Sequence, residues 1–318
     1  TTVKCVHGYR DVRDGAGGAA RARGSGDGVQ RGHEAGAREA IAQAKRAGTA
    51  SGVLLFEPHP REFFHPEEPH FRLTPLAEKL EIFEELGLDL AIVLSFDAAL
   101  ANLPAQDFVT KVVVGALDVR NVVIGHDFYY GKGRAGTPET LREAAETENF
   151  GITVLDPVAE DGEAFSSSGL RLRLAQGDVE GAARVMGRWW RVRGPVVGGA
   201  KRGTGLGFPT ANVPLPRGTG LGHGIYAVRT YVDGRCHDSA AYLGTRPTYD
   251  NGMPVLEVFL FDFDGDLYGK EIVVEFIGFV RPDRKFETSE ALVAQMQRDC
   301  ARAESILRAA PKSPRTGT

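Results

Sequence analysis

Apolar and polar positions follow two different rhythms along the chain. In the first part, short runs of consecutive apolar residues alternate with longer segments of helical spacing, which is typical of parallel strands covered on both faces. The runs are 53–56, 90–94, 121–124 and 152–155. Thr74-Pro75 and Thr137-Pro138 predict helix starts, because a hydroxyl cap precedes proline. The pattern predicts a Rossmann-like parallel α/β domain whose ligands bind at the carboxyl ends of the strands.

After Trp189 the strand-like runs follow one another without helices. They are 225–232, 239–243, 255–261 and 272–280, and the turn signals among them are Asp233-Gly234, Asn251-Gly252 and Asp264-Gly265, which we interpret as hairpin turns. This pattern predicts a small β-barrel. A closing helix is predicted over 289–309, and one face of it is expected to pack against the core through Leu292, Met296, Cys300, Ala303 and Leu307.

The length of 318 residues corresponds to two domains of about 150 residues each. A helical stretch over 169–186 ends the first pattern. We therefore predict an α/β domain over 1–187, a β-barrel domain over 188–310 and a disordered tail over 311–318. The sequence of residues 1–38 does not follow the pattern of the rest of the first domain.

Charge and cysteine content exclude several classes of protein. The 38 basic and 42 acidic residues give a net charge of −4, which argues against nucleic-acid and membrane-surface binding. The three cysteines are far apart and do not form a disulfide or zinc pattern. No apolar run reaches the roughly 18 residues of a membrane span, and the start lacks the apolar stretch of a signal peptide. We expect a cytoplasmic protein without an obligate protein partner.

Glycine is unusually frequent, with 40 residues in the chain. Nine lie in 8–36 and ten in 194–224. Such density indicates either loops that wrap a ligand or a segment that does not fold. The two windows therefore require separate interpretations.

The second glycine window contains a candidate phosphate-binding loop. Backbone N–H groups and cations in such a loop can bind phosphates. The residues concerned are Gly199, Lys201, Arg202, Gly203, Gly205 and Gly207. The loop does not have the Walker A pattern. Thr210 and Asn212 follow it, and on an extended segment their oxygen atoms point the same way and could hold Mg²⁺. Taken alone, this motif is better explained as a turn with a buried threonine.

Glu257 interrupts the apolar run 255–261. A carboxylate among barrel residues is costly unless it is hydrated, paired or functional. It is a candidate for the group that orients an attacking hydroxyl. The alternative is an outward-facing residue paired with a lysine. Asp262, Asp264 and Asp266 do not fit a calcium loop, because the glycine comes too early.

Four segments after residue 188 closely resemble the riboflavin kinase family. They are 205–212 (GLGFPTAN), 224–228 (GIYAV), 243–248 (LGTRPT) and 256–269. The resemblance covers roughly 188–310. It implies that Thr210 and Asn212 bind Mg·ATP, that Glu257 is the general base on the ribityl hydroxyl, and that Arg246 binds flavin.

The first domain resembles the FAD synthetase (FMN adenylyltransferase) module of bacterial bifunctional flavin enzymes. The matching pieces include 56–60, 73–75, 123–128 and 166–171, and the resemblance covers about 52–187. It implies ATP binding by Ser167, Ser168 and Asp127, and it implies that Arg171 is a catalytic residue that grips the ATP phosphates, consistent with anion binding at a helix N-terminus. It also implies flavin binding by Phe56, Pro58 and Pro60.

The first glycine window departs from that family. The family has an apolar strand followed by Gly-x-Phe-Asp-Gly-Val-His-x-Gly-His. The nucleotide-binding positions Asp27, Gly28, Gly32 and His33 are present, His33 being the second, catalytic histidine, whereas Gly26 replaces the phenylalanine and Gln30 replaces the first histidine. Losing one such donor typically costs about 10²–10³ in rate. The segment 14–23 lacks strand propensity, so no strand is predicted there.

The two resemblances together imply an enzyme that uses ATP and Mg²⁺ to convert riboflavin to FMN, and FMN to FAD with release of pyrophosphate. Its partners would be these small molecules. One alternative is a riboflavin kinase whose first domain is slowed or only a scaffold. Another is a flavin- or nucleotide-binding regulator without turnover, against which the intact Thr210, Asn212 and Glu257 argue. A third interpretation of residues 8–38 is a frame-shifted, corrupted sequence.

Overall fold

The computed structural model of the chain describes residues 4–7, 20–23, 31–156, 159–160, 163–164, 166–198, 210–245 and 254–313. At 4–7, 20–23, 31–32, 159–160, 163–164, 245 and 254 only the backbone is described. The chain divides into two compact units, Thr1–Ser167 and Ser168–Thr318. The domain boundary predicted at 187/188 from the change of pattern stays a prediction.

The first unit contains a six-stranded parallel sheet with strand order β1-β4-β3-β2-β5-β6. Its strands are β1 (Lys4–His7), β2 (Ala20–Arg23), β3 (Ser51–Glu57), β4 (Leu90–Ser95), β5 (Asn121–Gly125) and β6 (Gly151–Leu155). A two-stranded ribbon follows, formed by β7 (Ala159–Glu160) and β8 (Glu163–Ala164). The predicted strands and their parallel arrangement are confirmed.

Helices connect the parallel strands. They are α1 (Arg31–Ala47), α2 (Pro60–Phe64), α3 (Leu76–Leu86), α4 (Ala98–Ala101), α5 (Ala105–Asp107), which continues as a π-helical segment (Phe108–Ala116), and α6 (Pro138–Glu148). The predicted cap Thr137 is confirmed, since its hydroxyl accepts from the amide of Thr140 at 3.3 Å. Helix α3 begins after Pro75 instead of at Thr74, which is buried.

Alternate residues of the apolar strands pack on opposite faces of the sheet. Leu54 and Phe56 of β3 lie in one core with the π-helical segment. Val53 and Leu55 lie in the other, with Ala37 of α1 and residues of α3. This explains why strand β3 is a continuous apolar run, as predicted.

The prediction that no strand forms in the segment 14–23 is wrong. Strand β2 lies in the middle of the sheet, where it pairs in parallel with β3 on one side and with β5 on the other. A central strand receives ladder hydrogen bonds from both neighbours, and strand propensity depends on that context more than on the residues themselves. Pairing on both sides therefore compensates for the unfavourable sequence of β2.

The second unit is a six-stranded antiparallel barrel with order β10-β13-β12-β11-β14-β9. Its strands are β9 (Arg191–Pro195), β10 (Ala211–Pro214), β11 (Gly224–Val232), β12 (Arg235–Thr245), β13 (Pro254–Leu260) and β14 (Glu271–Pro282). A bridge between Val197 and Asn212 joins its two ends, and the Val197 amide donates to the Asn212 carbonyl at 2.9 Å. The predicted β-barrel is confirmed.

One predicted hairpin turn is confirmed and one is wrong. Asp233 and Gly234 adopt positive φ angles of 49° and 78° between the paired strands β11 and β12. Asp264-Gly265 lies between β13 and β14, which are not neighbours in the sheet. Turn residues are equally common in connections between unpaired strands, so composition alone misled this prediction. The third, Asn251-Gly252, lies outside the described residues.

Among the residues that the structure describes, three helices accompany the barrel: α7 (Ser167–Ala175), α8 (Val179–Met186) and α9 (Ser289–Ala309). The predicted helical stretch 169–186 is therefore two helices, separated at Gly177, which has a φ of 79°. The closing helix α9 has the predicted bounds, and its stripe packs against the barrel through Cys300, Ala303 and Leu307. Of the predicted tail, residues 314–318 lie outside the described part of the chain.

The last turn of α9 is fastened to the barrel by Arg229. Its guanidinium donates to the carbonyl oxygens of Leu307, Ala310 and Pro311 at 3.3, 3.0 and 2.8 Å. These are carbonyls that a helix end leaves without partners, and a cation there also complements the helix dipole. Arg229 thus orients the closing helix on the strands.

Candidate active sites

The barrel brings together the residues predicted to act in phosphoryl transfer. Asn212 of β10 lies directly opposite Glu257 of β13 in the antiparallel register. Ala211 is buried, as are both sequence neighbours of Glu257, whereas Asn212 and Glu257 are half-buried on the other face. Directly opposed residues have Cα atoms about 4.5–5.5 Å apart, with side chains side by side. The amide and the carboxylate therefore share one face.

Thr210 comes immediately before β10 and is half-buried. It lies two positions before Asn212, so an extended backbone directs both side chains to the same side. The alternative of an isolated turn with a buried threonine does not fit the strand that begins at Ala211. The side chains of Thr210 and Asn212 offer hard oxygen donors of the kind that Mg²⁺ prefers.

Asn212 and Glu257, which lie directly opposite each other, begin a row of site residues across the strands. This row continues beyond Glu257 onto strand β12. Tyr242 is the residue opposite Glu257 on that side. Its hydroxyl donates to Oδ2 of Asp283 at 3.1 Å, just after the end of β14. Sequence reasoning missed both residues, because only the strand register brings them beside Glu257.

In the sequence, the predicted phosphate-binding loop falls between strands β9 and β10. Gly199, Lys201, Arg202, Gly203, Gly205 and Gly207 fall outside the described residues, and so does the predicted flavin-binding Arg246. The loop is flanked by Val197 and Asn212, which the closing bridge joins. The loop that would bind a ligand is therefore adjacent in sequence to Asn212.

In the first unit, the predicted flavin and nucleotide residues follow the carboxyl ends of β3 and β5. Asp127 is exposed two residues after β5. Pro58 is exposed directly after β3, and Pro60 begins α2. Phe56 is buried in the core, where its ring meets that of Phe96 edge to face with centroids 5.9 Å apart. Phe56 therefore packs in the core behind this edge of the sheet.

A cluster of aromatic rings lies at the same edge. Phe63 and Phe64 of α2 are in edge contact, and both contact Phe96, with centroids 5.2–5.9 Å apart. Phe64 is 59% exposed. A contiguous apolar patch at the surface is more informative than a single exposed ring, because such patches mark binding sites. Sequence reasoning missed this surface, although the adjacent pair Phe63-Phe64 directly after the proline motif was a visible signal.

Ion pairs hold α2 against the end of β3. Arg72 donates through Nε to Oε1 of Glu62 at 2.6 Å, and its Nη2 lies 2.5 Å from Oε1 of Glu57 and also contacts Glu62. The hydrogen bond from Arg72 lowers the pKa of Glu62, and the same bond raises the pKa of Arg72. His59 caps α2 by accepting the Arg61 amide at 3.2 Å. The segment that follows Phe56 is thus held by the ion pairs of Arg72 and by the His59 cap.

The remaining predicted residues lie at the starts of two helices. Gly32 and His33 are in the first turn of α1, which follows the central strand β2 in the chain. Asp27 and Gly28 lie outside the described residues. Ser167 and Ser168 begin α7, and Arg171 lies one turn further along that helix. Helix N-termini bind anions through unpaired backbone N–H groups. The boundary between the two units falls between the two serines.

Known proteins resemble the chain over both units. The family model described as FAD synthetase matches residues 15–169, and the one described as riboflavin kinase matches residues 186–307. The bifunctional riboflavin kinase/FMN adenylyltransferase of Pseudomonas fluorescens is 36% identical over 98% of this chain and 100% of its own length. The protein of that name from Bacillus subtilis is 33% identical over 94% of this chain and 95% of its own. The chain belongs to this bifunctional family.

Membership in the bifunctional riboflavin kinase/FMN adenylyltransferase family agrees with the resemblance inferred from the motifs. The FAD synthetase match begins at residue 15 and so includes the glycine-rich departure from the family pattern. Relatives of the bifunctional class align over both units, which favours the bifunctional interpretation over a kinase with a vestigial first domain or a regulator.

The bifunctional chain also matches a solved structure over nearly its whole length. That structure is titled as a macrolide-efflux protein from Streptococcus pneumoniae; it has a TM-score of 0.84 and 26% identity, and covers 97% of this chain and 99% of its own. Within the described residues, no helix is both long and apolar enough to cross a membrane.

Proposed function

We propose that the barrel transfers the γ-phosphoryl group of ATP to the terminal ribityl hydroxyl of riboflavin, giving FMN and ADP. The α/β unit then transfers AMP from a second ATP to the FMN phosphate, giving FAD and pyrophosphate. The observation that carries the proposal is the register that sets Asn212 opposite Glu257. The amide that would bind the metal and the carboxylate that would accept the proton therefore share one face of two paired strands.

Phosphoryl transfer requires a bound metal, fixed phosphates and a group that orients the attacking hydroxyl. Thr210 and Asn212 would hold Mg²⁺ together with the phosphate oxygens of ATP. When bound, the metal neutralises charge on the transferring phosphoryl group. Glu257 accepts the hydrogen bond of the riboflavin hydroxyl and takes its proton as the new P–O bond forms. ADP leaves with the bridging oxygen.

The loop before Thr210 would bind the phosphates of the same ATP molecule. Lys201 and Arg202 supply positive charge, and the glycines Gly199, Gly203, Gly205 and Gly207 allow backbone N–H groups to approach the oxygens closely. Arg246 would contact the flavin. The support for these roles is the motif itself and its position directly before the Asn212 strand.

In the α/β domain predicted over 1–187, we assign ATP binding to the helix starts and flavin binding to the strand ends. Gly32 and His33, together with Asp27 and Gly28, would bind the triphosphate, and His33 would stabilise charge as the FMN phosphate attacks the α-phosphorus. Ser167, Ser168 and Arg171 would grip the phosphates, and Asp127 would lie near the nucleotide. Pro58, Pro60 and the exposed ring of Phe64 would contact the flavin, with Phe56 behind them.

Product analysis tests the proposal. The protein is incubated with riboflavin, ATP and Mg²⁺, and FMN and FAD are separated by chromatography. We expect both products, with FMN appearing first. A parallel reaction starting from FMN isolates the second step, and one with excess chelator removes Mg²⁺. FMN without FAD would overturn the adenylyltransferase assignment, and the absence of both products would overturn the kinase assignment as well.

A further inference from the structure

The half-buried row that contains Glu257 crosses most of the barrel. From Asn212 and Glu257 the register leads to Tyr242, then to Ile225 and to Arg281 of β14. Side chains directly opposite one another in antiparallel strands share a face. The site therefore has two sides: Asn212 on one side of Glu257, and Tyr242 on the other.

In phosphoryl transfer, these two sides of the site would bind different substrates. The attacking and leaving oxygens lie roughly in line through the transferring phosphorus atom. The donor lies on the Asn212 side, where the metal ligands are. An acceptor whose terminal hydroxyl is held by Glu257 must extend away from the donor, and this direction leads over β12 to Tyr242.

Tyr242 is fixed in a defined conformation. Its ring lies along its own strand over Gly244, where an added Cβ would come within 2.4 Å of Cζ and still closer to the hydroxyl. The hydroxyl is held by Asp283 at 3.1 Å. A residue with a side chain at 244 would displace the ring, so the glycine and the carboxylate together set its position.

Asp283 is itself held in place through the end of β14. Two residues earlier, Arg281 makes a two-pronged ion pair with Asp299 of α9, with Nε 2.9 Å from Oδ1 and Nη2 2.7 Å from Oδ2. The Asp299 side chain is only 7% exposed. Gln295 donates to the same Asp299 carboxylate at 2.8 Å. The closing helix thus anchors the strand end that carries Asp283.

We propose that Tyr242 is a specificity residue of the kinase site, whose hydroxyl, positioned by Asp283, binds the polyol chain of the acceptor beside the hydroxyl that is phosphorylated. The inference rests on the proposed riboflavin kinase function of the barrel. It adds a defined ligand contact: a polyol attached to the flavin ring, recognised by a tyrosine–carboxylate pair.

The test is steady-state kinetics of FMN formation by the full-length protein. Tyr242→Phe removes only the hydroxyl, and we expect it to raise the KM for riboflavin about fivefold, the usual effect of losing one hydrogen bond. The KM for ATP should stay within twofold. Lumiflavin, a flavin ring without a polyol chain, serves as an inhibitor competing with riboflavin, and its inhibition constant should also stay within twofold.

Tyr231→Phe is the matched control. Tyr231 also lies on the barrel and its hydroxyl donates to Glu275 at 3.1 Å, but it stands in a different row, opposite Cys236. We expect all three constants to be unchanged in this variant. Asp283→Ala should reproduce the effect of Tyr242→Phe, and the double variant should be no worse than either alone, because both remove the same contact.

An unchanged riboflavin KM in Tyr242→Phe would overturn the inference. So would a lumiflavin inhibition constant that rises in step with it, since that would place the ring and not the polyol at Tyr242. Equal rises in the KM values for ATP and riboflavin would indicate a general structural defect and would also overturn it. If the wild-type protein forms no FMN, the kinase assignment itself fails first.

Discussion

The two units build their sites in different ways. In the barrel, Asn212, Glu257 and Tyr242 stand side by side because three neighbouring antiparallel strands fix them in register. In the α/β unit, the candidate residues lie in connections and helix starts that follow separate parallel strands. A ladder of backbone hydrogen bonds positions the first site, whereas packing and ion pairs such as that of Arg72 position the second.

This difference has a consequence for how each site responds to change. A side chain on a strand in register keeps its position when a neighbour is replaced. Substitutions in the barrel site should therefore change the reaction rate without displacing the other site residues. A side chain on a connection depends on the contacts that hold that connection. The predictions below test this contrast, beginning with the largest expected effect.

Glu257→Gln should lower the rate of FMN formation by about 10²–10⁴, because the amide cannot accept the proton of the ribityl hydroxyl. FAD formation from supplied FMN should be unchanged. The measurement is FMN formation from riboflavin, with Glu275→Gln as the control. Glu275 is another glutamate on a barrel strand, and Tyr231 is its hydrogen-bond partner. Equal turnover in the Glu257 and Glu275 variants would contradict the role of Glu257.

Asp299→Ala should destabilise the barrel unit by about 3–5 kcal/mol, because it leaves the guanidinium of Arg281 buried without its partner. Chemical denaturation monitored by tryptophan fluorescence measures the effect, since Trp189 and Trp190 are both in the barrel unit. Glu304→Ala is the control on the same helix. It removes an exposed pair with Arg308 and should cost less than about 1 kcal/mol. Similar losses of unfolding free energy in the two variants would show that the buried pair stabilises the fold no more than the exposed pair does.

His33→Ala should slow FAD formation from FMN by about 10²–10³, the usual effect of removing one preorganised donor. FMN formation from riboflavin should not change. His65→Ala, at an exposed histidine of the same unit, is the control and should alter neither activity. If His33→Ala leaves FAD formation intact, α1 does not bind the triphosphate in the proposed way.

Glu62→Gln should produce the smallest effect, about 1 kcal/mol of unfolding free energy at neutral pH. The hydrogen bond from Arg72 lowers the pKa of Glu62 below its ordinary value, so the folded state favours the charged carboxylate. The stabilisation is fully present well above the ordinary carboxyl pKa and is lost as the pH falls through the lower folded-state pKa. Unfolding free energies of wild type and variant should therefore converge in acid. A gap that stays constant across this range would show that Glu62 does not act through its charge; exposed Glu67→Gln is the control.

Much of the fold could be predicted from the sequence because its signals are local. The apolar runs of the parallel strands, the cap at Thr137 and the closing helix each depend on neighbouring residues only. Strand β2 could not be predicted, since its stability comes from pairing with β3 and β5 rather than from its own residues. The Asp264-Gly265 turn was misassigned because turn chemistry does not reveal which strands pair.

The same distinction applies to the sites. Thr210, Asn212 and Glu257 could be singled out because polar residues stand at regular positions in strand-like segments. Tyr242 and Asp283 could not, since 41 positions separate them and only the barrel register brings them together. The surface of Phe63, Phe64 and Phe96 likewise depends on the packing of α2 against the end of β4.

The bridge between Val197 and Asn212 also bears on how the kinase site can be altered. It joins the chain on either side of the segment between them, so the position of strand β10 does not depend on how long that segment is. Closing a longer loop costs little, about 0.6 kcal/mol for each doubling of its length. We therefore expect a longer chain between 198 and 209 to leave Asn212 in its place opposite Glu257.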